Sequence, residues 1–396
     1  MHPLATSRRG RSAPRGARLA FALFALVSCA AAHAFDWEVD VTPAGELFPA
    51  LELSQAPAET KRAIGGGNGL VGIRLRGNDL PSRLRLEVDT PGLARPAVLE
   101  FERAPGEDAT TLDLHPRLEW DVAQLRRLER VRSQALRIVL EVAGKRDART
   151  LSVRLHPLND APYFVREGRE RVDLGWVFAG YVDPGDRVVD EVLALARAIE
   201  PQFDVRAGTS DPEATLRRIG AVWRALERRG LRYDDGDPAL SRGPIVWSQR
   251  VRLPDEVWRD RNANCIDSSV LIASALERIG LRALIVLVPG HAFVGYRTGT
   301  DGRAAEYFET TLLGARTRAG DMATTNFAAA RAAGRQRWRR AAARLDGRHG
   351  PDYALIDIGA ARAYGIIPIG AAERAMRHPP EAAPAPAGSS REHGLP

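Results

Sequence analysis

Cys265, His291 and Glu309 are side chains of the types that cooperate in acyl-transfer chemistry, and all three fall within residues 262–311. A thiolate attacks carbonyl carbon, and a helix N-terminus favours it, because unpaired N–H groups and the helix dipole attract negative charge. An imidazole within reach takes and returns the proton. A carboxylate on the far ring nitrogen then fixes its tautomer and orientation. A Cys and a His at arbitrary positions are usually a buried thiol and an unrelated ring. Here nucleophile, base and acid fall on successive predicted elements, in the order that chemistry needs.

The elements that must hold these groups are legible around them. Cys265 stands just ahead of a helical run in which Val270, Leu271, Ala273, Ala275, Leu276 and Ile279 are apolar, and Gly280 is the stop. LRALIVLVPG follows, dense in Leu, Ile and Val, and reads as a buried strand. His291 opens HAFVGY, a second strand; Gly299, Asp301 and Gly302 supply a turn; EYFETT is a third strand ending in Glu309. Asn264 and Asp267 flank the nucleophile. Asp267, in the first helical turn, either supports the helix terminus or helps to position the site. Upstream, the extended stretch IVWSQRVRLPDEVWRDRNAN offers Trp247 and Trp258 either as walls of a cleft or as loop packing.

This stretch resembles the core of the transglutaminase-like superfamily, within the papain-like cysteine enzymes. That core has a Cys at a helix start, then His and Asp on the two following strands. The resemblance implies Cys265 as nucleophile, His291 as base and Glu309 as the third member, with Glu standing where the pattern usually has Asp. Papain-like enzymes also carry a Gln upstream of the Cys that helps to bind the oxyanion, which implies Gln249. ETT, PGHAFVGY and IDIGAARAYGIIPI look like an exported bacterial subgroup of that superfamily without an assigned substrate. The core of the resemblance is short, and a weaker likeness extends over residues 36–370.

Taken in order, the 396 residues suggest two or three domains, and 44% hydrophobic residues suffice for real cores. Residues 1–34 read as an export signal. Arg8, Arg9, Arg11, Arg15 and Arg18 make a basic start, an apolar run over residues 19–27 is too short for a membrane span, and Ala32 and Ala34 suit cleavage before Phe35. Leu26-Val27-Ser28-Cys29 also resembles a lipobox, which would leave a lipidated Cys29. Five of the 57 basic residues lie in this segment, so the remainder is nearly neutral against its 50 acidic residues. The high pI therefore does not point to nucleic acid. If Cys29 leaves with the signal, Cys265 has no intramolecular disulfide partner, which suggests a reactive thiol or an intermolecular bridge.

Residues 35–157 alternate as strands in GLVGIRLRG, RLRLEVDT, ALRIVLEVAG and ARTLSVRLHP, with turns at Gly65-Gly66-Gly67-Asn68, Gly77-Asn78-Asp79 and Ala104-Pro105-Gly106-Glu107. They read as an antiparallel β-sandwich, Ig-like in general shape. Residues 158–200 read as a connector with aromatic anchors and a helix opened by Asp183-Pro184; the next helix opens at Asp211-Pro212 and stops at Gly230, with Arg217, Arg218, Arg224, Arg228 and Arg229 on a solvated face. Residues 201–377 are expected to form the transglutaminase-like domain that the resemblance implies. Within them NFAAARAAGRQRWRRAAARLDG is an arginine-rich helix, most simply solvated, and Asp357 is a second candidate for the orienting carboxylate. Residues 378–396 are Pro- and Ala-rich and read as a disordered tail.

The fold class expected is α+β. No metal site is expected, because His291 lacks a second ligand at metal spacing, and no cofactor is expected either. The expected activity is that of an exported, periplasmic or secreted cysteine peptidase, amidase or acyltransferase. It would work through a thioester on a peptide or protein substrate of the cell envelope. The alternative is a non-catalytic envelope protein that binds peptide, or a scaffold, using a transglutaminase-like domain.

Overall fold

Alternation decides the N-terminal third. In Val71–Arg76 the residues Val71, Ile73 and Leu75 are buried while Arg74 and Arg76 face water, the period of a strand with one covered face. In the computed structural model, which describes residues 35–56, 64–65, 69–103, 110–205, 211–234, 240–299, 304–314, 327–345 and 350–377, this strand lies between Asp36–Val41 and Thr111–His115. Ile64–Gly65 completes that sheet. A second sheet runs in the order Glu46–Leu47, Lys145–Leu155, Arg132–Val142, Arg83–Asp89, Ala97–Glu102. Its long hairpin turns through Ala143 and Gly144, both at positive φ (49° and 77°), the backbone that a tight two-residue hairpin requires. Buried residues of both sheets, such as Ile73 and Leu114 on one and Leu86 and Ile138 on the other, join one apolar core. The expected export signal with Cys29, the expected tail, and the turns at 66–68, 104–107 and 301–302 lie outside the described residues.

Residues 158–200 depart from the connector expected there. Asp160–Glu167 and Glu170–Asp173 are strands, and with Val246–Arg250 and Leu240–Arg242 they form a four-stranded sheet. The run APYFV is buried residue after residue rather than alternately, and the register shifts between Pro162 and Phe164. A strand covered on both faces loses the period-2 signature, which is why it passed for a linker. The helix that follows is Arg187–Ile199, capped by Asp186, whose carboxylate accepts from the Val188 N–H at 2.8 Å. Asp183 does not open it, because that carboxylate is held by Arg374 (2.9 Å to each oxygen) and by the Gly185 N–H. The next helix, Pro212–Arg229, is capped by Asp211 and ends at Gly230 with φ 86°. Arg218, expected on its solvated face, is buried and donates to the Asp204 carbonyl.

The last sheet carries the site. It runs Ala304–Phe308, His291–Thr298, Ala283–Val288, Ala354–Asp357, antiparallel throughout. Both faces are covered. Ile285, Val294 and Phe308 share a core with Val270, Leu271 and Ala275 of the helix Cys265–Arg278. Leu284, Val286, Phe293 and Tyr307 pack against Trp338 of the arginine-rich helix, Phe327–Ala341. The arginine-rich helix comes close because Gly334 meets the sheet backbone: a Cβ there would stand 2.5 Å from Phe308 N and from Tyr307 O. Gly334→Ala should therefore lower stability by roughly 1–3 kcal/mol, although Ala is normally the better helix former. Denaturant midpoints check this, and an unchanged or raised midpoint would refute the close approach.

Candidate active site

Cys265 occupies the first position of its helix because Asn264 ends the chain's extended approach and caps it. Asn264 Oδ1 accepts from the N–H groups of Ile266 and Asp267, each at 3.0 Å, and the Asp267 carboxylate returns to the Asn264 N–H at 3.2 Å. The reciprocal pair satisfies donors that a helix start leaves open. Asp267 is buried and also accepts from the backbone N–H (2.8 Å) and Nε (2.9 Å) of Arg252. Burial raises its pKa, and Arg252 opposes the rise. Asp267 thus fixes the helix start and ties it to the segment upstream, and both Asn264 and Asp267 act as supports. The Cys265 carbonyl accepts from Ser269 Oγ (2.6 Å) and Thr310 Oγ1 (3.3 Å), so the residue after Glu309 is hydrogen-bonded to the backbone of Cys265.

His291, the first residue of its strand, lies between the other two groups. Its ring lies beside the Cys265 side chain, and Nε2 donates to Glu309 Oε1 and Oε2 at 3.0 and 3.1 Å. Nδ1 is therefore the nitrogen left for the sulfur. Glu309 lies one residue past the strand Ala304–Phe308 and caps a short 3-10 turn, accepting from Thr311 N–H (3.1 Å) and Oγ1 (2.9 Å). Its second oxygen accepts from Arg337 Nε. The side chain of Glu309 is only 4% exposed, so its charge needs these partners. Burial pushes its pKa up, but hydrogen bonding and the charge of His291, Thr311 and Arg337 outweigh it and hold the group at about 2. Burial likewise opposes a charged imidazole. The adjacent Cys265 side chain and the hydrogen-bonded carboxylate of Glu309 outweigh it and hold His291 at about 9. At neutral pH the ring is a cation beside the sulfur.

The remaining sequence candidates are placed elsewhere or less closely. Gln249 is buried on Val246–Arg250, three residues before Arg252, and among the described residues no hydrogen bond ties it to Cys265. Trp247 packs against Phe164 (5.4 Å between ring centres) and under Arg242 (4.9 Å). Trp258 is buried, donates to Glu191 at 2.8 Å and lies under Arg229, so packing between helices takes it up. Asp357 caps the helix Ile358–Ala363 and pairs with Arg297 at 3.1 Å, which removes it from contention as the orienting carboxylate. Sequence reading missed Arg337, together with Arg331 and Arg335, which hold Glu306. The available signal was a pair of carboxylates, Glu306 within the strand and Glu309 just past it, each needing a cation. Among the described residues no cluster of three or more His, Cys, Asp or Glu has the arrangement of a metal site, and no helix is long and apolar enough to cross a membrane. Comparison with known protein families and with characterised proteins finds no match to this chain.

Proposed function

We propose that this chain is an exported cysteine enzyme of the transglutaminase-like kind, with an Ig-like β-sandwich ahead of a papain-like catalytic domain. It acts on an amide or peptide bond through Cys265, His291 and Glu309. One observation carries the reading: a helix-start thiol lies beside an imidazole whose Nε2 is held by a buried carboxylate.

The Cys265 sulfur attacks the carbonyl carbon, forming the C–S bond and placing the C=O electron pair on oxygen. The N–H of Cys265 suits that oxygen as a donor, because Asn264 Oδ1 takes the next two N–H groups and, among the described residues, no acceptor holds this one. The tetrahedral adduct collapses with cleavage of the C–N bond, and His291 gives its proton to the leaving amine. A thioester remains. Water or a second amine then attacks it, His291 takes the attacking group's proton, and the C–S bond breaks to restore the starting pair. Throughout, Glu309 stabilises the imidazolium and fixes its orientation.

p-Nitrophenyl acetate tests the reading with a simple acyl donor: a burst of one nitrophenolate per chain is expected before slower turnover, and the absence of a burst would contradict it. The proton inventory adds a pH prediction. An amide leaving group needs the His291 proton, so cleavage of a p-nitroanilide should fall as pH rises through about 9. The nitrophenyl ester of the same acid, whose leaving group needs no proton, should lack that limb. Stability has the same sign: the raised pKa stabilises the fold fully below the ordinary 6.5, and that contribution is lost as pH rises through about 9. Matching alkaline limbs for ester and anilide would contradict His291 as the acid.

A further inference from the structure

Beside the site lies a cleft of about 360 Å³. One wall is Val288 and Pro289, at the tip of the hairpin that leads into His291; the other is the arginine-rich helix with Gln336, Arg337 and Arg340, continued by Arg344 and Tyr353. The cleft adjoins the catalytic groups directly, since Arg337 both lines it and donates to Glu309, which in turn holds His291. The charge of Arg337 is therefore already matched. The charges of Arg340 and Arg344 are not: among the described residues neither pairs with a carboxylate. Arg344 donates to the Tyr353 hydroxyl at 2.7 Å and lies over its ring at 5.5 Å. Nearby Asp352 is engaged by Arg242 at 2.7 Å. Both arginines are exposed, so the protein does not need them for its core. Two guanidinium groups unmatched among the described residues, with a Gln amide in one concave surface, suit recognition of an oxyanion.

We infer that this cleft is an anion subsite, which takes a carboxylate or phosphate carried by the substrate beside the scissile amide. The inference rests on the cysteine-enzyme reading and adds a substrate class to it: acidic peptides or amides in preference to neutral or basic ones. The matched pair at Arg337 would stay with catalysis, while Arg340 and Arg344 select.

The test uses the full chain and three thiol-directed probes with one electrophile: the N-chloroacetyl derivatives of glutamate, phosphoserine and glutamine. Rates of Cys265 labelling are compared with those of free N-acetylcysteine. An acidic-to-neutral rate ratio about tenfold above that of the free thiol is expected, since two exposed ion pairs near the top of their usual range give about that much. The ratio should shrink as salt is added. It should collapse in Arg340→Gln/Arg344→Gln and largely survive in Arg340→Lys/Arg344→Lys. The faster of the two acidic probes identifies the anion. Rapid but equal labelling by all three probes would overturn the subsite and leave the cysteine reading intact. Labelling no faster than that of the free thiol by every probe would overturn the cysteine reading, and the subsite with it.

Discussion

Cys265→Ala removes the nitrophenolate burst entirely, and His291→Ala reduces it to the level of an isolated thiol; both variants keep the wild-type fold. The first result follows from chemistry, because the thioester has no other thiol among the described residues on which to form. The second follows from geometry. Without the imidazole the sulfur loses the group that carries its proton and the cation that faces it. The two side chains are 12% exposed (His291) and half-buried (Cys265), and the helix start is fixed by Asn264 and Asp267 rather than by the thiol, so circular dichroism and the melting profile should change little. If the burst instead survives in Cys265→Ala, another nucleophile does the work. If both variants unfold, the residues serve packing rather than chemistry.

Glu309→Gln gives the second large effect: a loss of several orders of magnitude in turnover, about 10⁴-fold by comparison with a carboxylate removed from a similar triad. Gln keeps the size and the acceptor for Thr311, but its amide has no charge to stabilise the imidazolium or to answer Arg337. The imidazole of this variant should titrate well below the value of about 9 that it has beside the carboxylate, which NMR of the ring would report. Because the three groups act as a unit, Cys265→Ala combined with Glu309→Gln should look like Cys265→Ala alone. A Glu309→Gln enzyme with near-normal turnover would reduce Glu309 to an anchor for the arginine-rich helix.

Much of this site is legible in the chain because each group stands at an element boundary that sequence marks. Asn264 and Asp267 announce the helix that Cys265 begins, and the apolar run over Ala283–Val288 announces the strand before His291. Glu309 was read as the end of a strand, and it stands one residue beyond, on the turn Thr310–Leu312. What sequence hides is long-range pairing. Arg337 lies 28 residues from Glu309 on a helix whose spacing of arginines reads as a solvated face, and nothing local says which of them turns inward. Arg218 was lost in the same way, being one arginine among several on Pro212–Arg229. The strand Asp160–Glu167 was lost because it is covered on both faces and bulges, so its aromatic residues do not alternate. Local patterns report a residue's own element; they do not report which distant charge that element must satisfy.

The central claim is that Cys265 carries an acyl group with His291 as its proton partner. Peptide mapping by mass spectrometry after a brief exposure to p-nitrophenyl acetate tests it most directly. One acetyl group should appear on the peptide containing Cys265, disappear on standing as water resolves the thioester, and fail to form at a comparable rate in His291→Ala. Acetylation spread over other residues, or an adduct on Cys265 that forms equally fast without His291, would contradict the account.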